Sequence, residues 1–532
     1  MKNKIVIIGL DGVDFSLAEE LIKRNIMPNL GKLSRNGARG NMLSCLPLHS
    51  SITWTTFITG KNAGKHGIFG FFVMDKDTHE LKIANSLERK SQAIWHILNA
   101  YGKKVGISNL PSLYPPEKID GYMICGMLTP SINSNFTYPK GLKDELLKNI
   151  KDFELDLSIT MSSKNSKEML LKKIYEITSK RTETAKFLLS TYPCDVNMFV
   201  FTETDRMLHL FLKDMDTDSQ YKGAVEEYFR FLDNKIGEII EMCDEDTTIF
   251  IVSDHGMKPF KKVFYVNNLL LEMGLLEGEN KSARKTKYLF TAFCFQAIIE
   301  LMVKLKISPE YFKRFLPESF FKRLNIIIGK GKGYNWSKTK AYFWGGLGDC
   351  IVINLKGRQP EGIVPPEEYE KIRDEIIDKI KSIKDPDTNE GIAYGIYKRE
   401  DLFTGDFVKS APDIIVKLRE GYAPHESIEL EGIFNKKSLF EPITSDHTRN
   451  ATLIISGKNI KKGVLFDGSN ILDIAPTVLS LLGVPVPSDM DGKVLAKILS
   501  EEVSPSFVAP GLNESERLRQ RIKELKANGR LK

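Results

Sequence analysis

The sequence predicts an α/β fold built on a central, mostly parallel β-sheet. Short apolar runs alternate with stretches of helical periodicity along most of the 532 residues, a pattern typical of strand–helix–strand units. Two of these runs, Val196–Phe201 and Thr248–Val252, are largely apolar, as expected for central strands that are covered on both faces. The composition is that of a globular protein, and the length allows one large domain with insertions or two domains.

The elements of the N-terminal half follow from these runs. The run Ile5–Gly9 is predicted to be the first strand, and residues 17–24 the helix that follows it. Further predicted elements are a helix over 91–101, strands over 104–108 and 122–125, and a long helix that ends at Leu189. Helical patterns between strands supply the crossover connections that a parallel sheet requires.

Beyond Gly274 the alternation of strands and helices stops and later resumes. Residues 275–335 are predicted to form a basic, helical cap or insertion. Strands are then predicted over 341–344, 350–354, 414–417 and 452–456, and helices over 367–383 and 471–482. The predicted organisation is one domain of residues 1–274 and 336–500, the insertion 275–335, and a polar helical tail over 501–532.

Positive charge is concentrated in residues 281–332, which contain twelve lysines and arginines against three acidic residues. The segment is also rich in Phe, Leu and Ile, so an amphipathic helical insertion with a solvated basic face accounts for its composition. The alternative interpretation is a docking surface for an anionic membrane, a nucleic acid or another polyanion. The sequence leaves both interpretations open.

No segment predicts export or membrane insertion. The apolar run near Met1 is too short for a signal peptide, and no stretch reaches the roughly 18 uninterrupted apolar residues of a membrane span. The six cysteines are widely spaced, with no C-x-x-C pair, which favours a reducing compartment over a disulfide framework or a zinc ribbon. We therefore expect a cytoplasmic protein.

Six acidic and histidine residues lie at or near the ends of strand-like runs: Asp11, Asp205, His209, Asp254, His255 and His447. In an open α/β sheet, the carboxyl ends of the strands form the edge where ligand sites are built. Taken singly, each residue has a plain structural interpretation, as a helix cap, an i,i+4 ion pair or a loop side chain. Together, three carboxylates and three imidazoles are a suitable ligand set for two first-row divalent metal ions.

A hydroxyl-rich segment, His49-Ser50-Ser51-Ile52-Thr53, could supply a nucleophile beside such ions. Spacing alone does not select one hydroxyl, and a polar turn that only caps a helix has the same composition. A phosphate-binding P-loop over Gly60–Lys65 is excluded, because it has three intervening residues instead of four and His66 replaces the Ser or Thr.

Several stretches occur in an order that is more specific than any one of them. They are Met27-Pro28-Asn29-Leu30, Thr59-Gly60 with His66-Gly67-Ile68, Ser253-Asp254-His255-Gly256-Met257 and Asp473-Ile474-Ala475-Pro476-Thr477. In these stretches the chain resembles the alkaline phosphatase superfamily, in particular its type I phosphodiesterase/nucleotide pyrophosphatase branch. The resemblance covers nearly all of residues 1–500, although 281–332 fit poorly. It implies an alkaline-phosphatase-like three-layer sandwich, with residues 1–274 and 336–500 as the catalytic domain.

The resemblance also implies roles for the site residues. Ser50 lies nine residues before the Thr of Thr59-Gly60, the position of the nucleophile in this branch, and would also bind the metal ions. One ion would be held by Asp205, His209 and His447, and the other by Asp11, Asp254 and His255. Thr53 stands where similar phosphodiesterases often have an Asn that holds a phosphate oxygen.

A two-metal phosphohydrolase is thus expected, a phosphodiesterase or nucleotide pyrophosphatase that forms a covalent phospho-Ser50 intermediate. The expected ions are zinc, with manganese as the alternative, because carboxylate and imidazole serve both. The expected partner is a phosphorylated small-molecule substrate, and the sequence is silent on oligomeric state.

Five alternatives remain within reach of the same residues. A phosphomonoesterase, a phosphonate hydrolase and a phosphotransferase acting on lipid or glycan headgroups would use the same ions. A sulfatase is disfavoured, because Cys45-Leu46-Pro47-Leu48-His49 lies five positions too early for the sulfatase Cys-x-Pro-x-Arg motif and ends in His. A non-catalytic binder of phosphorylated ligands is disfavoured by the complete ligand set and Ser50.

Overall fold

The computed structural model describes residues 4–74, 81–157, 165–278, 334–428, 432–435, 443–500 and 503–509. Within these residues, the largest sheet has nine strands, in the spatial order Val464–Asn470, Gly37–Leu43, Asn450–Ser456, Thr248–Val252, Ile5–Leu10, Val196–Phe201, Val105–Ser108, Gly121–Ile124 and Thr137–Tyr138. Most neighbouring strands are parallel, whereas Asn450–Ser456 runs antiparallel to both of its neighbours. The predicted α/β class with a mostly parallel central sheet is confirmed.

The three strands at the centre of this sheet lie within the main hydrophobic core. Every residue of Ile5–Leu10, Val196–Phe201 and Thr248–Val252 is buried, as their apolar sequences predict. The first of them pairs in parallel with the other two, and the three strands end nearly level with one another. Residues that follow these strands therefore meet at one edge of the sheet.

Helices pack against this sheet and connect its strands. In the described part of the chain the α-helices are Phe15–Lys23, Pro28–Asn36, Ser50–Thr59, Ala63–His66, Ile94–Ala100, Leu142–Asn149, Asn165–Thr191, Glu203–Phe211, Ala224–Ile240, Val266–Glu272, Tyr369–Ser382, Arg399–Leu402 and Ile474–Leu481. The long helix Asn165–Thr191 packs against Ala224–Ile240 and against the strand Val196–Phe201.

A second, antiparallel sheet is formed by Ala341–Trp344, Cys350–Ile353, Ile414–Leu418 and Ala393–Lys398, in that order. It has its own hydrophobic core, to which the helix Tyr369–Ser382 contributes. From the sequence, residues 336–500 are expected to continue one domain. The sequence does not distinguish this sheet from the nine-stranded sheet, because an apolar run such as Cys350–Ile353 identifies a strand but not the sheet that the strand joins. The domain boundaries stay a prediction.

Shorter strands complete the described structure. They are Phe72–Met74 with Leu81–Ile83, Gly256–Pro259 with Ser445–Thr448, Lys262–Tyr265 with Tyr422–His425 and Phe434–Asn435, and Val486–Pro487 with Phe507–Val508. The pair Gly256–Pro259 and Ser445–Thr448 brings the C-terminal part of the chain to the end of the central strand Thr248–Val252.

Two predicted regions lie mostly or partly outside the described residues. Residues 279–333, which include the basic segment 281–332 of the predicted cap, and residues 510–532 of the predicted tail are not among them. Of the helices in the described ranges, none combines the length and apolar character needed to cross a bilayer.

Candidate active site

The six predicted acidic and histidine residues and Ser50 lie together at the carboxyl edge of the nine-stranded sheet. Asp11 follows the strand Ile5–Leu10, Asp254 and His255 follow Thr248–Val252, Asp205 and His209 lie on the helix Glu203–Phe211, and His447 lies in the strand Ser445–Thr448. This is the edge at which open α/β sheets place their ligand sites. More than 430 residues separate the first and last members in the sequence.

Three of these side chains form what we call the imidazole-rich cluster: Asp205, His209 and His447. Asp205 Oδ1 lies 3.2 Å from His209 Nε2 and 3.6 Å from His447 Nε2. The two Nε2 atoms are 3.0 Å apart. Asp205 and His209 lie one turn apart on their helix, so three donor atoms converge on one point, as a metal ion requires.

Asp11, Asp254 and His255 form the carboxylate-rich cluster. All three are fully buried, and His255 Nε2 lies 3.4 Å from Asp11 Oδ1 and 3.5 Å from Asp254 Oδ2. However, the second set of donor atoms that all lie within 4.8 Å of one another consists of Asp11, Asp205 and His255. Asp205 is therefore within reach of both clusters.

The two clusters are in direct contact. The rings of His255 and His447 stack with their centroids 3.9 Å apart. This contact depends on the strand pair described above, in which His447 is in register with Met257.

Ser50 is the first residue of the helix Ser50–Thr59, here called the Ser50 helix, and its side chain is buried. Ser50 Oγ lies 3.3 Å from Asp11 Oδ1 and 3.4 Å from His255 Nε2. Other hydroxyls of this helix are used within the protein: Thr55 and Thr59 donate to carbonyl oxygens four residues earlier, and Thr56 pairs with His66. Spacing in the sequence could not separate these roles.

All three histidines turn Nε2 toward the clusters because Nδ1 faces a backbone carbonyl. His209 Nδ1 lies 2.9 Å from Ser445 O, His255 Nδ1 3.1 Å from Gly256 O, and His447 Nδ1 2.5 Å from Leu48 O. A carbonyl only accepts hydrogen bonds, so Nδ1 carries the proton in each neutral ring and Nε2 keeps its lone pair. Histidines that bind metal ions are commonly oriented in this way.

Three residues that the sequence did not single out for these contacts hold the carboxylates in place. Trp54 Nε1 donates to Asp11 Oδ2 at 3.1 Å, Thr53 Oγ1 to Asp254 Oδ2 at 2.6 Å, and Arg206 Nη1 to Asp205 Oδ2 at 2.6 Å. The family resemblance indicates Thr53 only as a replacement for a phosphate-binding Asn. Arg206 could have been suspected from its position next to Asp205, but no sequence signal pairs Trp54 with Asp11.

The imidazole-rich cluster is internally balanced in charge. Burial alone would raise the pKa of Asp205, but His209, hydrogen bonds and Arg206 hold the pKa of that carboxyl well below its ordinary value. Burial lowers the pKa of His209, yet the Asp205 carboxylate outweighs it and the pKa is raised above its ordinary value. Burial and the neighbouring His255 lower the pKa of His447.

The carboxylate-rich cluster is not balanced. Burial, together with the charges of Asp254 and Asp205, raises the pKa of Asp11 well above its ordinary value. Burial likewise raises the pKa of Asp254 to about 6 and lowers the pKa of His255 to about 4. His255 is thus neutral at pH 7, and the two carboxylates face each other without a cation of their own.

The residues present fit divalent cations. Three Nε2 lone pairs and three carboxylates converge, and the buried Asp205 Oδ1 faces two of these nitrogens at 3.2 and 3.6 Å. A buried, unbalanced carboxylate pair gains most from a bound cation, since isolated buried charges are costly. Oxygen and imidazole nitrogen donors suit zinc and manganese alike.

A cavity of about 450 Å³ lies apart from these clusters and has Lys61, Lys65, Phe407 and Asp489 among its lining residues. None of the seven predicted site residues lines it. Lys61 pairs with Asp489, and Lys65 with Asp491. The lysines therefore tie the end of the Ser50 helix to the segment 489–491.

The model of one protein family, type I phosphodiesterase/nucleotide pyrophosphatase, matches residues 5–442. The matched range contains every predicted site residue except His447, whose place in the site rests on the geometry. No curated protein matches the chain.

Two solved structures share the fold at low sequence identity. Phosphonoacetate hydrolase from Sinorhizobium meliloti 1021, in complex with phosphonoformate, is 13% identical with a TM-score of 0.53, and the match covers 91% of this chain and 96% of that one. An inactive murine ectonucleotide pyrophosphatase/phosphodiesterase 5, in complex with AMP, is 12% identical with a TM-score of 0.50, covering 94% and 100%. The family match supports a phosphoester hydrolase. The chain belongs to the type I phosphodiesterase/nucleotide pyrophosphatase family.

Proposed function

We propose that this protein is a two-metal phosphodiesterase or nucleotide pyrophosphatase that reacts through Ser50. The observation that carries the proposal is the position of Ser50 Oγ, 3.3 Å from Asp11 Oδ1 and 3.4 Å from His255 Nε2. Both residues belong to the carboxylate-rich cluster, and His255 stacks on His447 of the imidazole-rich cluster. A buried serine with no such surroundings would be an ordinary first residue of a helix.

In this proposal the imidazole-rich cluster holds one ion and the carboxylate-rich cluster the other, with zinc as the expected metal and manganese as the alternative. Asp205 would bind the ion of the imidazole-rich cluster, and its carboxylate also lies within reach of Asp11 and His255. Bound ions would lower the pKa of the Ser50 hydroxyl and neutralise charge that develops on the phosphoryl oxygens.

The reaction has two displacement steps at phosphorus. Ser50 Oγ passes its proton to solvent and forms a bond to phosphorus, while the bond from phosphorus to the leaving oxygen breaks and its electron pair stays on that oxygen. Water then gives one proton to solvent as it attacks the phosphoserine, the Oγ–P bond breaks, and Ser50 Oγ takes up a proton to restore the hydroxyl. Asp11 Oδ1 and His255 Nε2 are the groups that hold Ser50 Oγ in direction, and burial keeps other water away from it.

Thr53 bears on the substrate class. Its hydroxyl donates to Asp254 Oδ2 at 2.6 Å and lies 3.1 Å from His49 O. In this arrangement it orients a metal-binding carboxylate, so the contact that an Asn would make with a phosphate oxygen must come from elsewhere. The substrate remains a phosphorylated small molecule in this proposal, with monoesters and phosphonates as the competing classes.

A substrate panel tests the proposed reaction. Protein stripped of metal is supplied with Zn²⁺ or Mn²⁺ and assayed on phosphodiesters, nucleotide pyrophosphates, monoesters, phosphonates and sulfate esters. We expect turnover of diesters or pyrophosphates, loss of that turnover in Ser50→Ala, and a phosphorylated Ser50 detected by mass spectrometry after rapid quenching.

Ser51→Ala is the matched control, because Ser51 is the next residue of the same helix and its buried hydroxyl has no hydrogen-bond partner within the described part of the chain. It should retain activity. Equal activity of Ser50→Ala and wild type would contradict the nucleophile, and a protein that neither binds ions nor turns over any ester would contradict the enzyme.

We also propose a location for the protein and a role for its basic segment. We place the protein in the cytoplasm, which fractionation of cells that express it would test. The basic segment 281–332 is proposed to bind an anionic membrane or another polyanion. Co-sedimentation with anionic vesicles, compared between the full chain and a variant with these lysines and arginines replaced by glutamine, would refute this if binding were equal.

A further inference from the structure

Arg206 makes a short contact with one oxygen of a predicted metal ligand. Its Nη1 lies 2.6 Å from Asp205 Oδ2, and only 14% of its side chain is exposed. The contact joins neighbours in the chain, so it places a guanidinium directly beside the imidazole-rich cluster.

The other oxygen of Asp205 faces the two histidines of the cluster. Asp205 Oδ1 is buried and lies 3.2 Å from His209 Nε2 and 3.6 Å from His447 Nε2. The two oxygens of one carboxylate thus have different surroundings. One is occupied by Arg206, and the other points at the imidazole nitrogens.

This difference matters because Asp205 is the residue within reach of both sets of donors. A carboxylate with two free oxygens can bind one ion through both oxygens or bridge two ions. A carboxylate whose second oxygen is held by a guanidinium has one oxygen left to offer, and here that oxygen faces the imidazole-rich cluster.

Arg206 is itself held in place from another part of the chain. Its Nη2 lies 3.8 Å from Asp156 Oδ2 and 3.8 Å from Met127 Sδ. A guanidinium is always charged at physiological pH, so Arg206 needs no neighbour to keep its charge. The guanidinium therefore has a fixed direction as well as a charge.

We infer that Arg206 is a positioning residue that restricts Asp205 to a single metal-binding oxygen and so keeps the two metal sites distinct. The inference rests on the proposed two-metal function. It also makes a prediction that a pure charge effect does not. A guanidinium that only added positive charge would repel divalent ions, and its removal would tighten metal binding. If the guanidinium instead positions Asp205, its removal has the opposite effect on metal affinity and weakens binding.

The test is metal binding by the full chain with Arg206→Met, which keeps an unbranched side chain and removes the charge and the donors. Titration calorimetry with Zn²⁺ measures affinity and stoichiometry. Visible absorption with Co²⁺ in place of zinc reports coordination number. We expect ten- to a hundred-fold weaker binding of at least one ion, the range found for residues that orient metal ligands, and a Co²⁺ spectrum of higher coordination number.

Two further variants separate position from charge. Arg206→Lys retains a charged donor and should recover part of the affinity. Arg39→Met is the matched control, since it removes an arginine paired with Glu19 elsewhere in the protein, and should bind both ions as wild type does. If Arg206→Met does not fold by circular dichroism, Asp156→Asn replaces it, with a smaller loss of affinity expected from loosening Arg206.

The outcomes are distinguishable from a failure of the proposed function. Wild type that binds no divalent ion overturns the two-metal proposal and this inference with it. Wild type that binds two ions, together with an Arg206 or Asp156 variant that binds them equally or more tightly with an unchanged Co²⁺ spectrum, overturns only the role of Arg206.

Discussion

The two clusters of the site contain the same kinds of side chain but differ in how the charge of their carboxylates is balanced. In the imidazole-rich cluster, Asp205 has Arg206 and His209 beside it and its pKa is held low. In the carboxylate-rich cluster, burial and mutual repulsion raise the pKa values of Asp11 and Asp254. The first cluster is balanced by the protein, whereas the second is balanced only by a proton or a metal ion. Metal binding should therefore relieve electrostatic repulsion in the carboxylate-rich cluster but not in the imidazole-rich cluster.

The largest expected effect is on turnover when either cluster loses a ligand. His209→Ala and Asp254→Ala should each reduce the metal stoichiometry from two to one and lower kcat/KM on the order of a thousand-fold, because an ion contributes several kcal/mol to the transition state. Elemental analysis and steady-state kinetics measure both. If one of the two variants kept full activity, the cluster it belongs to would not serve the reaction.

Removing a carboxylate charge should change the stability of the metal-free protein in opposite directions, depending on the cluster in which the carboxylate lies. The folded-state pKa of Asp11 is raised, so its ionised form costs stability as pH rises, and Asp11→Asn should stabilise the metal-free chain at pH 8 by on the order of 1 kcal/mol or more. The folded-state pKa of Asp205 is lowered, so its charge contributes stability above its unfolded pKa, and Asp205→Asn should cost about 3 kcal/mol at pH 8.

Urea denaturation with a chelator present measures both changes. Repeating it near pH 4 should shrink the Asp11→Asn gain, because the proton already neutralises that carboxyl in the folded state. Two variants that changed stability in the same direction at pH 8 would contradict the electrostatic difference between the clusters.

The pH dependence of metal binding should report the unbalanced cluster. Burial raises the pKa of Asp254 to about 6, so below that pH a proton must leave before an ion binds, and affinity should fall roughly tenfold per pH unit. Above pH 7 this proton is already gone. Calorimetry between pH 5 and pH 8 measures this dependence, and the His209→Ala variant is used so that protonation of His209 does not contribute. An affinity that stays constant from pH 5 to pH 6 would contradict the prediction.

The smallest expected effect concerns the hydroxyl that supports Asp254. Thr53→Val keeps the shape of the side chain and removes the donor to Asp254 Oδ2, which should weaken metal binding about tenfold, since a buried acceptor left unpaired costs about 1–3 kcal/mol. Thr55→Val is the matched control on the same helix, because the Thr55 hydroxyl donates only to Ser51 O. Equal affinities in the two variants would show that Thr53 has no share in orienting Asp254.

The sequence predicted the parts of this molecule that depend on local pattern. Strands such as Val196–Phe201 and Thr248–Val252 were predicted with the bounds that the structure has, because a strand buried on both faces is a continuous apolar run. The polar residues after these runs could be expected at one edge, since parallel strands end on the same side. The family resemblance then selected Ser50 from several hydroxyls.

The remainder depends on contacts between distant parts of the chain. Nothing near Asp11 indicates that Trp54 would donate to it, and the separate sheet of residues 341–418 follows from strand pairing that apolar runs do not specify. The sequence predicts two separate sets of three metal ligands. The distances add that Asp205 lies within reach of Asp11 and His255 as well as of its own cluster.

All ten residues of the Ser50 helix are buried, and Ser50 lies in its first turn. The aligned peptide dipoles of a helix give its N-terminal end a partial positive charge, which stabilises a phosphate there. In the proposed reaction the scaffold itself would thus hold a phosphoserine in place while the leaving group departs. The identity of the product, free acid or transferred ester, would then be set by which acceptor reaches the phosphorus first.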